Sequence, residues 1–323
     1  MRGRKDSGFL PLRFKAVSLK EYVNMINNKR LRELPLHLML LPGVLCTLVF
    51  SYVPMAGIVM AFQKFVPVKG IFKSEFVGLE NFKYMLSLPN IYSVLWNTVF
   101  IAVMKIIAGM VFPIIFALLL NEVANDFFKR SVQTIIYLPF FLSWVILGGI
   151  LIDILSPSSG IVNQFLSYLG IEPIYFLGDS KWFPFTLIIS DTWKNFGYNT
   201  VIYLAALTGI DPTLYEAAIV DGAGRWKQTL HVTIPGIMSI VILMAVLSLG
   251  NVLNAGFEQV YNLYSPQVYS TGDIIDTLVY RIGLVDTQFS LATAIGLFKS
   301  IVSFGLIVLS NRLANKYAGY RVF

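Results

Sequence analysis

Six stretches of this chain each run for 25 residues or more with at most two charged side chains, and that pattern decides what the chain can fold into. They cover residues 36–62, 92–120, 131–155, 182–210, 232–256 and 288–312. About 20 predominantly apolar residues in a helix cross the hydrocarbon core of a bilayer. Inside that core every backbone N–H and C=O must be bonded within the protein, which restricts such stretches to helices. The expectation is an all-α integral membrane protein with six transmembrane helices. Several stretches exceed the minimum length, so tilt or interfacial ends are expected. Pro42, Pro54, Pro113, Pro139 and Pro235 fall within them, and neighbouring helices can satisfy the carbonyls that proline frees.

Composition agrees. Charged residues make up 13% of the 323, against roughly 25% in soluble domains, and mean hydropathy is +0.69. A water-soluble domain is excluded. The net charge of +7 does not point to nucleic acid, because the basic residues gather at the ends of the apolar stretches. Sixteen lysines and arginines fall on the side of the amino-terminal segment, the second–third and fourth–fifth connections and the tail; six fall on the other. By the positive-inside rule both termini are cytoplasmic, which an even number of spans requires.

The organisation expected is a basic cytoplasmic arm (1–35), a transmembrane domain (36–312) containing a cytoplasmic loop at 211–235, and a cytoplasmic tail (313–323). The arm lacks the apolar run of a cleavable signal peptide, so the first span itself directs insertion. Residues 18–34 suit either an interfacial helix or a solvated basic segment. On the outer side, Ile161, Phe165, Leu166 and Leu169 follow helical spacing and predict a short surface helix over 160–169. The last outer loop carries Glu258, Asp273, Asp276 and Asp286 against Arg281. The single cysteine, Cys46, reads as a small core residue.

The loop at 211–235 holds the most local information. Asp211 is a good N-cap and Pro212 suits the first helical position. A short helix follows through Val220, Asp221-Gly222 marks a turn, and a second short helix over Trp226–His231 leads to Pro235 at the opening of the fifth span. Gly222 can take positive φ at little cost. Tyr215, Ala217, Ala218 and Trp226 are available for burial. Such a knob exceeds what is needed to join two spans, and resembles a docking surface.

Glu216-Ala217-Ala218, three residues, Gly222, nine residues, then Val232-Thr233-Ile234-Pro235 resembles the "EAA" signature of ABC-importer permeases. Val232 and Ile234 stand where that pattern usually has isoleucine and leucine. Pro35-Leu-His-Leu-Met-Leu-Leu-Pro42, Phe50-Ser-Tyr-Val-Pro-Met-Ala-Gly57 and Phe76-Val-Gly-Leu-Glu-Asn-Phe82 resemble the opening of permeases in the polysaccharide branch of carbohydrate importers, and most narrowly an alginate importer's permease. The resemblance implies a type I ABC importer permease (MetI-like) fold in the bacterial plasma membrane. It also implies a second homologous permease, two ATPase subunits that bind ATP and Mg, and an extracytoplasmic sugar-binding protein. Carried over residue by residue, it makes Tyr215, Glu216, Ala217, Ala218, Asp221, Gly222, Ala223 and Pro235 the ATPase-coupling set.

The remaining chemistry is sparse. No Gly-Lys-Ser/Thr occurs, so the chain has no Walker A loop and any ATP is hydrolysed by another subunit. His37 and His231 belong to different elements without ligand-spaced partners, and no metal site or catalytic group is expected. Ionisable residues inside a bilayer are costly and default to functional hypotheses. Asp191 and Lys194, three apart on one helix, either pair with each other or line a hydrated path. Lys105 and Lys299 line the cavity, pair across helices, or mark span ends. Trp193, Asn195, Tyr198, Asn199, Asn251 and Asn254 combine rings with amides, which suits sugars as well as interhelical packing. A stand-alone secondary transporter or channel is the alternative; the internal repeats it favours are not evident.

Overall fold

The computed structural model describes residues 19–250 and 252–318, with side chains over 33–250 and 252–312. The start of the expected basic arm (1–18), Asn251 and the end of the tail (319–323) lie outside the described residues. The chain forms two compact units, one ending at Gly57 and the other beginning at Ile58.

In the first unit, helix α1 (Leu19–Thr47) passes into a π-helical turn, Leu48–Tyr52. Pro54 follows that turn by two residues. Proline lacks an N–H and its ring collides with the carbonyl four residues back, and the wider turn relieves both faults. Cys46 is exposed, not a core residue as expected. Its helix presents apolar side chains on nearly all sides, as a lipid-facing span does.

The second unit opens on a small antiparallel ribbon. Strands β1 (Gln63–Lys64) and β2 (Glu75–Phe76) pair Gln63 with Phe76 and Lys64 with Glu75, around the turn of helix α2 (Gly70–Lys73). Helix α3 (Glu80–Ser87) anchors the ribbon: the Asn81 amide donates to the Ala61 and Gln63 carbonyls at 2.9 and 3.0 Å. Then come α4 (Ile91–Asn121), α5 (Asp126–Tyr137), α6 (Trp144–Ile154), α7 (Ile161–Tyr168), α8 (Phe183–Thr208), α9 (Pro212–Val220), α10 (Arg225–Gln228) and α11 (Ile234–Gly250). After these lie α12 (Phe257–Leu263), α13 (Tyr269–Gly272), α14 (Ile275–Tyr280) and α15 (Phe289–Ala318). The surface helix expected at 160–169 is α7.

Among the described residues, four helical stretches are long and apolar enough to cross a bilayer: Glu33–Phe62, Ile91–Asn121, Arg225–Gly250 and Phe289–Arg312. The third expected span is not one straight helix. It is the pair Asp126–Phe141 and Trp144–Ile154, bent by 105°. Pro139 opens a 3-10 turn (Leu138–Phe141), and the Ser143 hydroxyl caps α6 by accepting from the Ile146 N–H at 3.3 Å. The fifth span also begins earlier than expected. Residues 225–250 are continuous through a π-helical turn (Thr229–Thr233) that ends two residues before Pro235, as the turn at Leu48–Tyr52 does before Pro54.

Helix α8, with 26 residues, occupies the expected fourth span but, with its many polar side chains, is not among the four stretches apolar enough to cross a bilayer by composition. Its hydroxyls turn back on their own helix: Ser190 on the Thr186 carbonyl at 2.6 Å, Thr192 on Ile188 at 2.7 Å, Thr200 on Phe196 at 2.7 Å. Local bonding of this kind lets such residues sit away from water. Gly197 allows close packing, since a Cβ there would collide with the Ile136 carbonyl of α5. One core cluster joins α4, α6, α8 and α12 through Ile101, Leu151, Leu187 and Val260. A second joins α3, α4, α14 and α15 through Met85, Ile91, Ile275 and Ile295. A third places Ala117, Tyr203 and Ile237 between α4, α8 and α11.

Candidate functional site

Two features stand out, at opposite ends of α11. The first is the knob formed by α9, α10 and the turn between them. Asp211 caps α9 by accepting from the Thr213 N–H at 2.9 Å. That bond holds the Asp211 carboxyl below its ordinary range, so the cap is intact at neutral pH. At the other end, the Gly222 N–H donates to the Ile219 carbonyl at 3.0 Å and the Ala223 N–H to Ala218 at 2.9 Å. These bonds make a Schellman motif, with Gly222 as its left-handed residue at φ 75°.

The Tyr215 hydroxyl lies 3.0 Å from that of Thr233, fastening α9 to the base of the fifth span. The Gln228 amide donates to the Ala223 carbonyl at 2.8 Å. Arg225 pairs with Glu122 at the end of α4 at 2.9 Å, an exposed bridge that contributes little. Tyr215, Ala218 and Ala223 are half-buried, whereas Glu216, Ala217, Asp221 and Gly222 are exposed. Trp226, expected to be available for burial, is 73% exposed, and Leu214, Ile219 and Val220 are also open. The knob therefore leaves four large apolar side chains exposed within a short stretch. Such a concentration suits an interaction site.

The second feature is a cavity of about 410 Å³ walled by α4, α8, α11 and the segment before α12. Asp191, Asn195 and Asn199 recur every four residues along α8 and face it together, with Asn254 across from them. Trp193, Lys194 and Tyr198 lie outside its lining: Trp193 is exposed, and Tyr198 stacks on Phe140 with ring centroids 4.1 Å apart. Ser248 and Met244 of α11 complete the wall, as does an α4 face of Ala102, Lys105, Ile106 and Gly109. That α4 face recurs at i, i+3, i+4 and i+7, a spacing readable in the sequence. Lys105 was its chemical cue; the small and aliphatic Ala102, Ile106 and Gly109 gave none.

The expected pair between Asp191 and Lys194 is replaced by two separate arrangements. Asp191 meets Lys105 across the α4–α8 interface at 3.7 Å. The buried Lys105 ammonium also donates to the Ala255 carbonyl at 2.6 Å and to the Gln259 side-chain oxygen. Gln259, fully buried, donates in turn to the Leu187 carbonyl and the Ser190 hydroxyl, both at 2.8 Å. Gly256, at φ 92°, gives the ammonium room, since a Cβ there would stand 3.0 Å from Nζ. Lys194 serves the bend in the third span instead. Its ammonium donates to the carbonyls of Pro139 at 3.4 Å, Phe140 at 3.1 Å and Leu142. Spacing on one helix allowed the first pair; the bend, invisible in the sequence, drew Lys194 away.

In the loop between the fifth and sixth spans, Asp273 pairs with Arg281, and Asp276 with Lys299 of α15, each at 2.5 Å. Lys299 thus pairs across helices.

The chain matches the family described as "Binding-protein-dependent transport system inner membrane component" over residues 109–316. It is 43% identical to the polygalacturonan/rhamnogalacturonan transport system permease protein YteP of Bacillus subtilis (strain 168), with 90% of each chain covered. It is 41% identical to protein LplB of the same organism, over 88% of this chain and 90% of that one. Among solved structures, it superimposes with a TM-score of 0.83 and 36% identity on a chain of a bacterial ABC transporter involved in the import of the acidic polysaccharide alginate. That match covers 91% of this chain and 99% of the other. An equal match is to the bacterial alginate ABC transporter in complex with an alginate pentasaccharide-bound periplasmic protein.

Proposed function

The chain belongs to the family of binding-protein-dependent transport system inner membrane components, and from that premise we propose how its parts serve a sugar importer. It is the membrane-spanning permease subunit of an ABC importer for an oligo- or polysaccharide, with the type I permease fold, and a multi-pass inner-membrane protein. The ATPase is a separate subunit in this family, which sets aside a stand-alone transporter driven by an ion gradient.

The knob is the coupling element. The exposure of Leu214, Ile219, Val220 and Trp226 around the Glu216-to-Gly222 signature is the observation that carries this reading. It docks in one of two ATPase subunits that bind ATP and Mg, on the cytoplasmic side where both termini also lie. A second, homologous permease encloses the other half of the path, and an extracytoplasmic binding protein delivers the sugar. Alginate oligosaccharides are the narrowest substrate candidate.

Transmission follows from the packing. Tyr215 and the Schellman turn bind α9 to the base of a continuous helix, 225–250, whose far end supplies Met244 and Ser248 to the cavity. A displacement of the knob therefore tilts a cavity wall. ATP shifts the inward–outward equilibrium only so far as the ATPase dimer interacts differently with the knob in the two states. Within the cavity, the amides of Asn195, Asn199 and Asn254 and the Ser248 hydroxyl offer donors and acceptors to sugar hydroxyls.

Reconstitution of the complex tests the reading. Glu216→Arg and Ala218→Arg are expected to insert normally but to lose ATPase co-purification and sugar-stimulated ATP hydrolysis. Wild-type association and transport in both variants refute the coupling assignment.

A further inference from the structure

Beyond the cavity, a run of aromatic rings begins at the start of α12, and of its five rings only Tyr264 packs against the core cluster. Helix α12 already has a core face: Gln259, Val260 and Leu263 are buried against α4, α6 and α8. Phe257, Tyr261 and Tyr264 stand at i, i+4 and i+7, on a second face. Phe257 follows directly on Gly256, which lines the cavity. Its ring stacks on Tyr261 at 5.4 Å, and Tyr261 meets Tyr280 of α14 edge-on at 4.8 Å and Tyr264 at 6.2 Å. The row ends on Tyr269, 5.0 Å from Tyr264.

Polar groups edge this row. The Tyr261 and Tyr280 hydroxyls lie 3.2 Å apart, and the Arg281 guanidinium sits 4.4 Å above the Tyr269 ring. Burial beside Tyr269 pushes the Tyr264 phenol up to about 12, so it remains a neutral hydroxyl. Tyr261 is 42% exposed. The exposed surface of the spans is mainly aliphatic, whereas four of these five rings are tyrosines. Rings with flat apolar faces and hydroxyl rims match the alternating C–H faces and hydroxyls of pyranoses. A 410 Å³ cavity lies at the small end of ligand pockets, so a longer saccharide must extend beyond it.

We propose that Phe257, Tyr261 and Tyr280, with Tyr264 and Tyr269 behind them, form a stacking subsite for pyranose rings of an oligosaccharide that protrudes from the cavity at the end of α11 away from the knob. The subsite rests on the reading of the chain as an oligosaccharide permease and adds where the part of the chain outside the cavity is held. It acts on length: a disaccharide fits within the cavity, and a pentasaccharide reaches the rings.

The test uses the complete complex in proteoliposomes, with alginate and polygalacturonan pentasaccharides and the matching disaccharides as probes. In Tyr261→Ala and Tyr280→Ala, the transport KM for a pentasaccharide should rise roughly three- to tenfold, as expected for loss of one aromatic stacking contact. The KM for the disaccharide should stay unchanged, and Tyr261→Phe, which keeps the ring, should retain most of the wild-type value. In Tyr261→Trp, a pentasaccharide should alter emission beyond the change seen in wild type, which gives a readout where the alanine variants fail to fold. Unchanged KM values, equal rises for both lengths, or release of the partner permease would overturn the subsite; the last two are what a lipid-facing belt or a permease–permease contact predicts. A wild-type complex that hydrolyses ATP but transports none of the probes refutes the proposed substrate class, a result distinct from the failure of the tyrosine variants.

Discussion

Replacing Gly222 tests the coupling knob through its backbone alone. At φ 75° the residue occupies the left-handed region, and no atom lies within 4 Å of where a Cβ would stand. A substitution therefore meets no collision, and its whole effect is conformational. A left-handed residue with a Cβ costs roughly 1–2 kcal/mol, and more when the side chain is β-branched, whereas asparagine visits the region readily. The expected order of damage is Gly222→Asn, then Gly222→Ala, then Gly222→Val. A penalty of about 1–2 kcal/mol lowers the population of the native turn by roughly 5- to 30-fold relative to its alternatives. The turn's two hydrogen bonds, to Ile219 and Ala218, would then open more often by the same factor. Because Gly222 lies outside every span, membrane insertion should be equal in all three variants. Sugar-stimulated ATP hydrolysis and ATPase co-purification should fall in the stated order, with Gly222→Asn close to wild type. Equal loss in the asparagine and valine variants would show that the lack of a side chain matters and the positive φ does not. Wild-type coupling in Gly222→Val would remove the turn from the mechanism.

Lys194→Met strands the half-buried Phe140 and Leu142 carbonyls, while the Pro139 carbonyl keeps the Leu142 N–H at 3.2 Å; at about 1–3 kcal/mol for each acceptor left without a partner, the Tm of the purified complex should fall clearly, and an unchanged Tm would mean the bend holds itself. Asp191→Asn leaves the buried Lys105 ammonium without its counter-charge, a loss of the order of 3–5 kcal/mol. Asp191→Asn with Lys105→Gln should recover much of the yield, and additive losses in the double variant would argue against the pair. Reporter fusions after Phe323 and within 156–181 should land on opposite sides of the membrane, and the same side for both would refute the six-span topology.

The sequence alone determined that the chain is helical and membrane-embedded, because a bilayer allows little else to a stretch of 25 residues with hardly a charge. It also determined the knob. Asp211, Pro212 and Gly222 act on their own neighbours, and local steric and capping rules read the same in any context. By contrast, only the fold showed how the knob's residues available for burial are placed: Tyr215 and Ala218 are half-buried, Ala217 and Trp226 exposed.

The tertiary structure decided which polar residues meet. Asp191 faces Lys105, 86 residues earlier in the chain, because α4 and α8 pack side by side there, while Lys194 is claimed by carbonyls that exist as free acceptors only once the third span has bent by 105°. Spacing on one helix shows which residues can share a face. Which face turns inward, and what stands opposite, depends on interhelical packing, and the cavity at Asn195, Asn199 and Asn254 exists only where those faces come together.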